Sequence, residues 1–156
     1  FGGLVEKALE GGLSEWTETP QGWLALVLLL DQLPRMIFRD TPKSYAGDSR
    51  AQALVRHGLK LERDLALTPM QRTFIYLVLE HTEQLDAQDE AIRRFANLLP
   101  LLPATDRDYF TQTLDYAKKH RSVIERFGRF PHRNAVLGRE STTEEVEFLK
   151  ERGSRF

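Results

Sequence analysis

From Trp23 to Leu30 the chain runs eight residues without a polar side chain. A helix that is apolar on every side has to be covered on every side. This segment therefore belongs at the centre of the fold, and the rest of the chain must wrap it. Thr19-Pro20 supplies a start signal, with threonine as N-cap and proline at the first helical position. Pro34 removes a backbone donor, so the spacing predicts a helix through Trp23 to Leu33 that kinks or ends there. The run is far short of the ~20 apolar residues that span a bilayer, and no signal peptide is visible, so no membrane partner is expected.

The remaining punctuation is helical too. Leu4 to Glu10 reads as a short helix closed by Gly11 and Gly12. Asp48 is placed to cap a helix whose apolar residues Ala51, Leu54, Val55, Gly58 and Leu59 follow helical spacing. Thr68-Pro69 opens another, with Gln71 in capping-box register and an end near His81 to Gln84. Asp86 is the expected cap of the next, which buries Ala91, Ile92, Phe95, Leu98 and Leu99 and stops at Pro100 and Pro103. The longest helix is expected from near Asp106 to Phe127, with His120 on its apolar stripe as a satisfied core histidine and Gly128 just past its end. Ser141 or Thr142 starts a last helix with Val146 and Leu149 facing inward. No segment alternates with period two. The expectation is a single all-α domain over residues 1–156, built of antiparallel helical hairpins in a bundle or short solenoid, with no sheet. The spacing of a tetratricopeptide repeat fits, without that repeat's signature residues.

Charge narrows the partners. Lys plus Arg is 22 and Asp plus Glu 23, a formal net charge of −1. A nucleic-acid binder normally carries a basic excess, so no nucleic acid is expected. Cysteine is absent. That rules out disulfides and cysteine metal sites and suits a reducing cytoplasm. No phosphate loop, nucleophile elbow or metal-ligand spacing is found, so no metal or cofactor is expected and a covalent mechanism has no support.

Three polar blocks carry what chemistry there is. In the first, Asp31, Arg35 and Arg39 recur every four residues directly after the apolar run. They read either as an ion pair at a helix end or as groups delivered to a cavity wall. In the second, His81 follows an apolar stretch and Glu83 follows it two residues on; His81 suits either a backbone-bonded helix end or general acid/base work. The third, Phe127 to Asn134, crowds Arg129, His132, Arg133 and Asn134 around a glycine and a proline. Arginine forks match carboxylate or phosphate, although the same arginines can cap helix ends.

Leu28 to Arg39, Leu79 to Glu83 and Arg126 to Asn134 together resemble the bacterial domain of unknown function 924 family, in the family's order and across nearly the whole chain. The resemblance implies an all-helical fold of the tetratricopeptide-like superfamily and no assigned activity. It implies a further aromatic-rich N-terminal segment before Phe1, and Asn where this chain has Met36. Carried over by resemblance are Asp31, Arg35, Arg39, His81, Glu83, Arg129, His132, Arg133 and Asn134.

These residues suggest one pocket lined by Arg35, Arg39, Arg129 and Arg133, with Asp31 and Glu83 orienting the arginines and Asn134 adding a hydrogen-bonding amide. A small phosphate- or carboxylate-bearing anion would bind there, and His81 or His132 would be the acid/base of any hydrolysis or proton transfer. Two other readings stay open. Helical hairpins form concave surfaces, and the arginines could clamp an acidic peptide. Or the blocks form a buried polar network that specifies the fold.

Overall fold

The computed structural model describes residues 1–156 and is all-α, without a strand. Its helices are α1 (Gly2–Leu9), α2 (Pro20–Leu30), α3 (Gln32–Ile37), α4 (Asp48–Lys60), α5 (Pro69–Glu80), α6 (Leu85–Leu98), α7 (Ala104–Phe127) and α8 (Thr143–Phe148), with short 3-10 turns between several of them. No helix is long and apolar enough to cross a membrane.

Helix α2 is the hub. It packs against α1, α3, α4 and α5, while α5, α6 and α7 pack on one another in chain order. Trp23, Leu26, Val27 and Leu30 are almost wholly buried, and the Trp23 indole N–H donates to the Leu54 carbonyl at 3.1 Å. Burying a side chain of this size contributes about 1.5–3 kcal/mol, so this short helix anchors much of the core. The start signals work as read. Thr19 Oγ1 accepts from the Gly22 N–H, and Thr68 with Gln71 closes a capping box.

The end of α2 departs from the expected helix to Leu33. It stops at Leu30, Asp31 is a distorted cap residue (φ −107°, ψ −58°) between the two helices, and α3 begins at Gln32. Pro34 explains this: it has no N–H for the Leu30 carbonyl four residues back, and its ring crowds that oxygen. The break leaves room for a close approach at Gly47, where a Cβ would meet the Leu30 carbonyl oxygen at 2.1 Å. Only glycine lets the start of α4 press so near α2.

Other boundaries shift for local reasons. The N-caps of α4 and α6 are Gly47 and Gln84 rather than Asp48 and Asp86. Asp48 instead gives both carboxylate oxygens to Arg35. Helix α7 starts at Ala104, with Pro103 before it, two residues ahead of Asp106. In α8 Val146 is exposed and Leu149 half-buried; Glu145 and Phe148 face inward. The capping-box Glu145 sets that face, because its carboxylate bonds inward to Arg129 and Asn134.

Candidate functional site

A cavity of about 550 Å³ opens where the broken end of α2 meets the C-terminal loop. Arg35 and Arg39 enter from α3 and the residues after it, Tyr45 from the turn Pro42–Tyr45, and His81 from the first position after α5. Facing them are His120 of α7, His132 and Arg133 of the turn Pro131–Arg133, and Arg155 with Phe156 near the chain end. Gly128, at φ +70°, turns the chain out of α7 into that loop.

Asp31 organises the first wall. It is buried to 1% exposure and faces His81 Nδ1 at 2.8 and 3.0 Å, Arg35 Nη1 at 3.0 Å and Gln32 Nε2 at 2.6 Å. Burial works against its charge, but His81 and Arg35 outweigh burial and hold the carboxyl at about 2. Because this carboxylate only accepts, His81 Nδ1 carries the hydrogen. Its Nε2 makes no hydrogen bond within the protein and is left for the cavity.

Arg35 and Arg133 then share one acid. Asp48 meets Arg35 at 2.8 Å and 3.0 Å, but Arg133 only at 3.6 Å. The Arg133 guanidinium is buried, stacked between the Tyr45 and Phe130 rings at 4.8 and 4.6 Å, and donates Nη2 to the His81 carbonyl at 3.0 Å. Its Nε is buried with no partner. Burial first, then the neighbouring Arg35, push its pKa down, and the carboxylates of Asp48 and Glu83 offset this only in part. Arg39 and Arg155 line the same space without joining any ion pair.

His132 is held neutral. Burial first, then Arg133 and His120, lower it to about 4, and its buried Nδ1 has no partner. That makes it a hydrogen-bonding group rather than a proton donor at neutral pH, and leaves it only the base half of the acid/base role read from its sequence. His120 is the unexpected member. It is buried, with Nδ1 2.9 Å from Glu80 Oε1, and Phe156 stacks over its ring at 4.1 Å. The available signal was a buried-pattern histidine one helix away from Glu80, an acid that directly follows the apolar stretch of α5.

Arg129, Glu83 and Asn134 do not line the cavity. Glu83 receives both forks of Arg139 at 2.7 and 2.9 Å and the Phe130 N–H at 2.8 Å. Arg129 lies across Glu145 at 2.7 and 2.8 Å. Buried Asn134 donates to Ser141 and Glu145 and accepts from Arg139 at 3.0 Å. This clasp ties the C-terminal loop to α8 and to the end of α5. Glu83 orients Arg139, a residue absent from the sequence reading, instead of a pocket arginine. Met36 is 71% exposed and outside the wall, so its replacement of the expected Asn does not alter the cavity.

A family model described as bacterial protein of unknown function (DUF924) matches residues 1–153. Among solved structures, a protein of unknown function from Agrobacterium tumefaciens is similar at 37% identity and a TM-score of 0.81, over 96% of this chain and 79% of that one. No curated protein matches the chain.

Proposed function

The chain belongs to the bacterial DUF924 family of unknown function, and we propose that its cavity binds a small anion bearing a phosphate or carboxylate. The observation that carries this is Arg133: a buried guanidinium, stacked in place, with an orphaned Nε and a shared, distant carboxylate. A preorganised fork of this kind matches a planar or tetrahedral oxyanion, and each charge-assisted bond to it contributes about 1.5–3 kcal/mol. Arg39 and Arg155 add charge at the wall, where the lining carboxylate is Asp40. Neutral His132 adds a hydrogen-bonding ring. The volume lies within the ~300–1,000 Å³ of small-molecule sites. Four of the 13 lining residues are hydrophobic, which favours a polar ligand over an amphipathic peptide.

Calorimetric titration with inorganic phosphate, and with succinate for the carboxylate case, tests the reading. Binding of at least one is expected, weakened at least about tenfold in Arg133→Met, because one charge-assisted bond is lost. Absence of heat with both anions, or unchanged affinity in Arg133→Met, contradicts it.

A further inference from the structure

His81 and His120 stand side by side at the cavity, ring centroids 6.4 Å apart. They come from different helical segments, yet are built alike. Each Nδ1 faces a carboxylate buried to 1% exposure: Asp31 at 2.8 Å for His81 and Glu80 at 2.9 Å for His120. His120 Nδ1 also lies 3.0 Å from the Tyr116 carbonyl, another acceptor, so that nitrogen carries a hydrogen. In both rings the orientation is set from behind and Nε2 has no partner in the protein. One such histidine is ordinary core economy. Two, on one cavity with Arg133 beside them, form a constellation that packing does not require.

From this paired arrangement we infer that His81 and His120 are an acid–base pair that hydrolyses a phosphate ester held by the cavity arginines. The inference rests on the anion-binding reading above. The carboxylates behind the rings suggest the roles. Asp31 is shared between Arg35 and His81, so its charge is not committed to the His81 ring alone, and His81 is assigned the base role. Glu80 has His120 as its one ion partner and leaves Oε2 unbonded, so this carboxylate is placed to stabilise charge on the His120 ring as a proton passes through it, and His120 is assigned the acid role.

In the reaction, the oxygen of a water bonds to phosphorus while the bond from phosphorus to the ester oxygen breaks. His81 Nε2 takes the water's proton, and His120 Nε2–H gives a proton to the leaving oxygen, releasing an alcohol and inorganic phosphate. Exchange with solvent then removes the proton from His81 and restores the one on His120. General acid–base work of this kind contributes about 10²–10⁴-fold in rate.

The test uses the whole chain and two probes, inorganic phosphate and p-nitrophenyl phosphate. Added phosphate should shift the ring-proton NMR signals of His81 and His120 and leave those of exposed His57 in place. The wild type should hydrolyse p-nitrophenyl phosphate, and His81→Asn and His120→Asn should each lose at least ~100-fold in kcat while binding phosphate within about threefold of wild type. Phosphate binding itself reports that a variant is folded, and His120→Gln replaces His120→Asn if the latter does not bind. Phosphate that binds without any ester turnover overturns the acid–base pair alone. So does turnover that survives at His120. Failure of phosphate to bind removes the anion site, and the pair with it.

Discussion

The loop after α7 serves two polar networks, and they differ in one respect. In the clasp, Arg129, Asn134, Arg139, Glu83 and Glu145 all meet complementary partners at about ordinary hydrogen-bond distance, and none has a buried polar side-chain atom without a bond. On the same loop, His132 and Arg133 at the cavity each keep an orphaned buried nitrogen, and Glu80, behind His120 and outside the cavity lining, keeps an orphaned oxygen. A buried polar group without a partner costs about 1–3 kcal/mol. A network that closes on itself serves the fold; the one with unmet polar atoms just behind the cavity wall is the one we propose serves a ligand.

The largest expected effect is in the clasp. Glu145→Ala strips Arg129, Asn134 and the Thr142 N–H of a shared acceptor, and should lower the unfolding free energy more than any other single change in the clasp when measured by denaturant titration. A loss under about 1 kcal/mol would mean that the clasp is surface decoration.

A smaller effect separates the networks by pH. His132 titrates near 6.5 when unfolded and at about 4 when folded. Between those values the unfolded chain binds the extra proton, so stability falls as pH drops from 6.5 towards 4, by about 2–3 kcal/mol. His132→Gln should flatten this arm. Asp31 adds a second arm: its carboxyl is depressed from 3.8 to about 2, so the stability it confers is present above 3.8 and lost as pH falls towards 2. An unchanged profile in His132→Gln would place the proton uptake elsewhere.

The smallest effect is at Arg39, exposed and without an ion partner. Arg39→Ala should leave stability within about 0.5 kcal/mol and weaken phosphate severalfold at low salt, less at high salt, as screening predicts. Equal weakening at all salt concentrations would argue for a structural cause.

The fold was legible because its signals are local. Thr19-Pro20, Thr68-Pro69-Gln71, Thr142 with Glu145, and Gly128 each act within one helical turn. The site was legible only in part. Asp31, Arg35, Arg39, His81, His132 and Arg133 do gather round the cavity, but which arginine faces it depends on long-range partners. Arg129 and Arg133 are four residues apart and look alike in sequence, yet Glu145 claims the first while the second turns toward Tyr45. Asp48 reads as a helix cap until Gly47 and the Leu30 carbonyl place it beside Arg35. His120 reads as a core residue, and Glu80 becomes its partner only once α5 and α7 are set side by side.

The difference between the two networks is tested most directly by thermal unfolding of the wild type, Arg133→Met and Arg139→Met, each with and without inorganic phosphate. A ligand at 100 times its Kd adds about 2.7 kcal/mol, which raises the midpoint of a domain this size by several degrees. The account predicts that Arg139→Met lowers the midpoint but keeps the phosphate-induced rise, whereas Arg133→Met still folds and loses the rise. A rise that persists in Arg133→Met, or disappears in a folded Arg139→Met, would contradict it.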